Sequence, residues 1–494
     1  MTIYTPVLEG RIGPKYRIIA DAISEDIRLH RLPPGEKLPT HRDLAWRLGV
    51  TVGTVTRAYQ ELQRRGLTGG RVGSGTYVFD PSARPVFAAP RSSLLDMCES
   101  QPTFADADSG GSNIIAALHT ESLAGVNLSM NRPPPGPESA ALARTLAEIS
   151  QAEGLEVLTR YNPAPGMAHH RAAMAEFISE VGLHTRDDEL LLTHGAQHAM
   201  AATAMALIRS GDVILTEELT YPGFSSLAAN LGARIRPVSM DGEGILPDAF
   251  ESAIAATGAR VAYLVPVLQN PTTATMSMQR LHAIADIAKR HNLMIIEDDV
   301  YGFQPETRNP PLAELAPDNV VYINGFAKSF APGLRIGMLR PPKALFNAIS
   351  QTVQITGWMI APLMGEIATR WIRSGDAHAI LRWHREEIKA RNAIAADILT
   401  GLTLRAKPES LHLWLELPEG HDAQDTIRAL ADRDVILIGS ENFTAGQAAT
   451  PRALRLCIGS PRTREHLITA LTHVRNVLTT EPAEAQSRHE TMVM

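Results

Sequence analysis

Lys328 lies in Asn324-Gly325-Phe326-Ala327-Lys328-Ser329-Phe330-Ala331-Pro332-Gly333-Leu334-Arg335, among small and apolar residues, with Arg335 seven positions on. Desolvation in such a setting lowers an amine's pKa and frees it to attack a carbonyl. The arginine offers charge-assisted hydrogen bonds to a phosphate. An imine-forming lysine beside a phosphate clamp points to pyridoxal 5'-phosphate (PLP). Alone, the stretch reads equally as a surface lysine in a Gly/Pro loop, so the other motifs must decide.

Ile295-Ile296-Glu297-Asp298-Asp299-Val300-Tyr301 is an apolar strand ending in carboxylates. A carboxylate facing a pyridine nitrogen keeps it protonated and makes the ring an electron sink. The plain alternative is an acidic loop that binds Mg²⁺ or caps a helix. Thr193-His194-Gly195-Ala196-Gln197-His198 follows a strand and opens a small-residue helix. Its free N–H groups and dipole suit a phosphate dianion. His194 and His198, four apart, also have metal-ligand spacing but no third ligand nearby. Tyr221, after another strand, can stack on a planar ring or be a rim aromatic. Asn270 in Gln269-Asn270-Pro271-Thr272 can donate to a phenolate oxygen, although Asn-Pro alone is a turn signal.

These motifs need a scaffold that gathers strand ends. Strand-like runs at Glu189–Thr193, Val213–Thr216, Val261–Val265, Leu293–Glu297, Val320–Ile323 and Ile336–Leu339 are mostly separated by helical stretches. That order predicts a mainly parallel sheet with helices on both faces and ligands at the strands' carboxyl ends.

Residues 1–80 are a different module. They carry 12 Lys+Arg against 8 Asp+Glu, whereas the whole chain has net charge −6, so the basic excess sits on an acidic body. Lys15–Leu29 has apolar residues on one helical face. Thr40 starts a second helix with Asp43 in a variant capping box. After the Gly49-Val50-Thr51 turn, Thr51 caps a third helix reaching about Arg65, buried along Val55, Ala58, Tyr59 and Leu62. Gly53, Thr56, Arg57 and Gln60 face outward, with Thr54 at the margin. Two short helices around a tight turn, the second with a small polar face, suit a major-groove reader. Thr51, Thr54 and Arg57 can donate to phosphates or base edges, Arg42 to the backbone, and Arg71 in a following hairpin to a minor groove or phosphate. A plain helical hairpin is the alternative. Pro81 to about Leu123 reads as a flexible linker (81–122), and residues 481–494 as a disordered tail.

The 494 residues suffice for two or three domains. Two cysteines, Cys98 and Cys457, give no disulfide framework and fit a reducing cytoplasm. No signal pattern opens the chain, and no apolar run approaches the roughly 20 residues of a membrane span.

The first block resembles the winged helix-turn-helix of GntR-type regulators. The matching residues are Pro34-Gly35, Leu38-Pro39-Thr40-His41-Arg42-Asp43-Leu44-Ala45, Leu48-Gly49-Val50-Thr51, Thr54-Val55, Ala58-Tyr59, Leu62, Gly66 and Gly73-Ser74-Gly75-Thr76-Tyr77-Val78. Residues 123–480 resemble fold-type I, PLP-dependent aminotransferases. The pairing of an α+β winged helix with an α/β transferase body and smaller C-terminal domain resembles MocR-type transcriptional regulators.

The resemblance implies that Lys328 forms the internal aldimine and Asp298 pairs with the pyridine nitrogen. It gives Asn270 and Tyr301 the ring oxygen, Tyr221 the ring face, and Ala196, Gln197 and Arg335 the phosphate. Arg455, in Ala453-Leu454-Arg455-Leu456-Cys457-Ile458-Gly459, matches the arginine that grips a substrate carboxylate. Tyr161, in Arg160-Tyr161-Asn162-Pro163, matches a residue reaching the partner subunit's cofactor phosphate, which implies a homodimer. Departures from the family are Val52 for a common arginine, Gly325 and Ala327 for serines, Thr273 for glycine, and Met167-Ala168-His169-His170 at a helix start. The expected activity is a DNA-binding regulator that senses an amino compound by aldimine exchange at Lys328. A working aminotransferase, a sensor of PLP itself controlling vitamin B6 supply, and a dead dimerisation scaffold remain alternatives.

Overall fold

The computed structural model describes residues 4–8, 13–29, 31–33, 35–65, 67–71, 75–78 and 125–479. The expected linker (81–122) and tail (481–494) lie outside them. The chain divides into two compact units at 103/104, inside the linker stretch. Among the described residues no helix is long and apolar enough to cross a membrane.

In the first unit, helices α1 (Lys15–Arg28), α2 (His41–Leu48) and α3 (Val52–Arg64) precede an antiparallel hairpin of β1 (Thr68–Arg71) and β2 (Gly75–Val78). Ile19, Ile23, Leu44, Val55, Ala58 and Leu62 are fully buried in one core. Thr51 caps α3 by accepting from the Thr54 N–H at 3.2 Å, and Gly49 turns the chain in the left-handed region after α2. The box at α2 is altered. Thr40 Oγ1 accepts from the Asp43 N–H at 3.2 Å, but the Asp43 carboxylate accepts from the Thr40 hydroxyl at 2.6 Å.

The second unit is built on seven strands: β3 (Leu191–His194), β4 (Val213–Glu217), β5 (Arg234–Val238), β6 (Val261–Leu264), β7 (Met294–Asp298), β8 (Val320–Gly325) and β9 (Ile336–Arg340). Their spatial order is β3-β9-β8-β7-β6-β4-β5, with β9 antiparallel to both neighbours and the other pairs parallel. Successive side chains alternate between two cores: Leu192, Ile295, Tyr322 and Met338 on one face; Leu191, Ile296, Val321 and Leu339 on the other. A smaller antiparallel sheet, β10 (Leu404–Arg405), β11 (His412–Glu416), β12 (Ile438–Gly439) and β13 (Ala453–Cys457), runs in the order β10-β11-β13-β12 over a third core. Three helices matter below: α4 (Ala168–Ile178), α5 (Ala196–Leu207) and α6 (Pro362–Ser374).

The same alternation divides the labour of the acidic strand end. Glu297 points to one side and accepts the Leu312 and Ala313 N–H groups at 2.8 and 2.9 Å, capping a short helix. Burial raises its pKa. Asp299, on the same side, accepts two bonds from Arg308 Nη1 (2.8 and 2.6 Å) and one from the Tyr322 hydroxyl (2.6 Å), all buried. Asp298 alone turns the other way.

Removing one member of a buried pair leaves an uncompensated charge. Arg308→Met therefore lowers the stability of the body by about 3–5 kcal/mol, read as a fall in the urea midpoint of its unfolding.

Candidate cofactor and ligand cleft

Lys328 follows β8 on the short connection to β9. Its Nζ donates to the Asn131 carbonyl at 2.5 Å. Burial, then the nearby Arg455 charge, lower its pKa to about 8. At pH 7 about a tenth of this amine is therefore unprotonated, far more than for an exposed lysine, and the unprotonated form is the one that attacks a carbonyl. Asp298, from the end of β7, accepts from the Tyr263 hydroxyl at 2.6 Å and the Val300 N–H at 3.3 Å. Burial raises it to about 6.

Tyr301 accepts from Asn131 Nδ2 at 2.9 Å, which leaves its own hydroxyl proton to donate. Asn270 Oδ1 accepts from Arg455 Nη1 at 2.9 Å, so its Nδ2 faces elsewhere as a donor. The loop that carries Asn270 keeps a left-handed residue at Thr273 (φ 63°), where the family's glycine would be unstrained. A β-branched residue there costs about 1–2 kcal/mol, and the Thr273 N–H to Gln269 carbonyl bond at 2.7 Å holds it.

The side of the cleft at the start of α5 is made largely of backbone. Gly195 has φ +79° and precedes α5, whose first-turn N–H groups at Ala196 and Gln197 have no intrahelical acceptors. The Arg335 guanidinium lies 2.7 Å from where a Gly195 Cβ would be and donates to the His194 carbonyl at 3.2 Å. Arg335 itself holds φ +50°. A Cβ at Gly325 would meet the Ile336 carbonyl at 2.8 Å, and one at Gly337 would meet Thr193 Oγ1 at 2.4 Å. The absence of serine at 325 thus has a steric reason. Tyr221 donates to Gln197 Oε1 at 3.2 Å.

Arg455, on β13, is nearly buried. Its Nη2 donates to the Ser129 carbonyl at 2.5 Å, its guanidinium lies 4.6 Å from the Phe443 ring centre, and its Nε has no partner. His412, on the adjacent β11, is fully buried and contacts Asn131 Nδ2 (3.0 Å) and the Gln269 carbonyl (3.1 Å) through its two ring nitrogens. Burial pushes its pKa down to about 3, so it is neutral. Asn131, Tyr263 and His412 were not singled out in the sequence. Asn131 stands in a Pro-rich run and His412 in an apolar strand, and neither pattern marks a site.

Three residues singled out from the sequence lie apart from this constellation. Tyr161 is 82 % exposed and packs on Trp358, ring centres 5.7 Å apart. His194 and His198 bond to the Gly357 carbonyl and Thr356 Oγ1 and, among the described residues, acquire no third metal ligand. In the first unit Thr40, Arg42, Thr51 and Arg57 are exposed, with Thr54 partly so. Thr51, Thr54 and Arg57 line one concave surface with Lys15, Tyr16 and Gly53. Val52, in the place of the family's arginine, is 44 % exposed. Arg71 ends β1, with its side chain outside the described part.

A lysine, a buried aspartate and a glycine-led helix start at the carboxyl ends of a mainly parallel sheet define a fold-type I transferase body, here preceded by a winged helix. Residues 124–471 match the model of aminotransferase class I and II, and residues 15–78 that of bacterial regulatory proteins, gntR family. The chain belongs to the aminotransferase class I and II family and carries a GntR domain at its N-terminus, a MocR-like architecture.

The uncharacterized HTH-type transcriptional regulator YdeF of Bacillus subtilis is 29 % identical over 475 residues, 96 % of each chain. YjiR of Escherichia coli, described in the same words, is 26 % identical over 87 % of this chain and 92 % of its own. An archaeal alanine:glyoxylate aminotransferase superposes with a TM-score of 0.69 at 22 % identity, covering 75 % of this chain and 94 % of its own. The α-aminoadipate aminotransferase LysN of Thermus thermophilus gives 0.67 at 24 %, covering 75 % and 95 %. These two likenesses establish the fold.

The lowered amine pKa has a direct readout. Reductive methylation of Lys328 in the cofactor-free protein, followed by peptide mass spectrometry, titrates with a midpoint of about 8, against about 10.4 for an exposed lysine. Arg455→Met moves that midpoint upward, because a neighbouring positive charge that disfavours the ammonium is lost.

Proposed function

We propose that this protein is a transcriptional regulator whose body holds PLP at Lys328 and takes an amino compound as effector. The carrying observation is the gathering of Lys328, Asp298 and Arg335 in one cleft of a chain that also has a winged helix. When bound, PLP supplies an aldehyde that condenses reversibly with amines. The donor set suits it. Asp298 keeps an acceptor for the ring nitrogen, Asn270 and Tyr301 have protons for the ring oxygen, and Tyr221 lines the cleft for stacking. The N–H groups of Ala196 and Gln197, with Arg335, suit the phosphate. Lys328 is the amine that exchanges.

Arg455 receives the effector's acidic group. A carboxylate fits its fork, and a sulfonate presents the same geometry. Arg455 and His412 come from the small sheet, and both contact the Gln269–Asn270 loop of the large one. An anion that draws Arg455 away from Asn270 and Ser129 changes what joins the two sheets. An effector that binds one such arrangement better than the other shifts the balance between them.

In the winged helix, Thr51, Thr54, Arg57 and Arg71 engage DNA, with Thr40 and Arg42 near the backbone. Thr40 and Thr51 do so while capping their helices. The relatives named as HTH-type regulators support this reading, as does the GntR match. The working unit is a cytoplasmic homodimer, with Tyr161 serving the partner's site.

Spectral titration of the PLP form with amines, amino acids and sulfonates should shift the cofactor band for one class without product release. Continuous formation of a keto product would make the protein an aminotransferase instead. Lys328→Ala should abolish the borohydride-reducible adduct, and an unchanged adduct would refute the assignment. On a DNA site selected by the protein from a random library, Arg57→Ala should weaken binding and reduce the log–log salt slope by about 1 if it contacts a phosphate.

A further inference from the structure

Outside the cleft, α4 opens with His169 and His170, and α6 carries Glu366 one residue after Gly365. Neighbouring helical residues point about 100° apart, yet both imidazoles reach one carboxylate oxygen. His169 Nε2 lies 3.1 Å and His170 Nε2 3.3 Å from Glu366 Oε2, and the two rings are 4.1 Å apart. The three donor atoms all fall within 4.8 Å of one another. Gly365 makes room for this, because a Cβ there would lie 2.6 Å from His170 Nδ1. The other carboxylate oxygen, Oε1, accepts from Arg370 Nε at 2.7 Å, which turns Oε2 toward the rings. His170 is fully buried, whereas the His169 side chain is 40 % exposed, so the cluster opens to solvent on one side.

We propose that His169 Nε2, His170 Nε2 and Glu366 Oε2 form a Zn²⁺ site with water as the fourth ligand. Two imidazoles and a carboxylate are a zinc donor set. With bonds of about 2.0–2.1 Å, a tetrahedral sphere places adjacent donors about 3.3 Å apart. Both nitrogen–oxygen separations already match that edge, and the third edge, between the two nitrogens, is within 4.8 Å. The ion would tie the start of α4 to α6. The segments that lead into these helices carry Tyr161 and Trp358 and touch through the Asn162 N–H and Met359 Sδ at 2.9 Å. Zinc therefore stiffens the support beneath that exposed aromatic pair.

The test uses full-length protein without an affinity tag, stripped with a chelator. It is titrated with ZnCl₂ against a chromogenic competitor, and separately with Co²⁺ as a spectroscopic probe. We expect one zinc per chain and visible Co²⁺ bands of a four- or five-coordinate site. His169→Ala and Glu366→Gln should each weaken binding at least tenfold and remove those bands, while His198→Ala changes neither. Circular dichroism of each variant confirms that the fold is kept; His169 is exposed enough that its loss leaves the core intact. Absence of zinc binding in the parent protein, or unchanged affinity in both ligand variants, would overturn the proposal. The cluster would then be only an ion-pair network between α4 and α6.

Discussion

The buried pair of Asp299 and Arg308 fixes more than its own corner. Tyr322 bonds to Asp299, and Asn324 Nδ2 bonds to the Tyr322 hydroxyl at 2.9 Å, so the ends of β7 and β8 are tied at one point. Asp298 is the last residue of β7, and the Lys328 loop leaves from the end of β8. With Asp299 held to one side, strand geometry leaves Asp298 no choice but the other. The pair thus fixes the strand end from which Asp298 projects and ties it to the end of β8, from which the Lys328 loop departs. The arrangement is demanding, since a buried charge without its partner is strongly unfavourable.

The cleft is polar but internally satisfied. Arg455 holds Asn270 and the Ser129 carbonyl, Lys328 holds the Asn131 carbonyl, and His412 spans Asn131 and Gln269. Few groups are idle; Arg455 Nε and Asn131 Oδ1 are two that lack partners. A ligand here exchanges bonds more than it adds them. Its net affinity is the small difference between what it offers and what it displaces, which favours ligands whose shape replaces several contacts together.

Much of this was legible because the informative residues are close in sequence. Lys328 and Arg335 share one loop, Asp298 and Tyr301 one strand end, and Gly195–Gln197 one helix start. Strand ends in an alternating chain bring such motifs together with little ambiguity. Asn131 escaped notice because it meets Tyr301 from 170 residues away and His412 from 281, and no local pattern encodes those contacts. Strand β5 was missed for a different reason. Arg234-Ile235-Arg236-Pro237-Val238 alternates polar and apolar residues and contains proline, and it sits at the sheet edge where both are tolerated. The reversed direction of β9 follows from the short connection after β8, too brief for the crossover a parallel neighbour needs. The altered box at α2 turned on where the Asp43 carboxylate points, which spacing does not determine.

The crowded backbone around Gly195, Gly325 and Gly337 limits how this lineage can change. A Cβ at Gly325 would collide with the Ile336 carbonyl and one at Gly337 with the Gly195 backbone, while Gly195 holds a φ of +79° that side chains rarely adopt. Variation cannot easily reshape this wall of the cleft by substituting there. It is confined to the few side chains at the rim, Gln197, Tyr221 and Arg335. The cleft is therefore easier to reshape around Asn131, His412 and Arg455, where side chains carry the contacts.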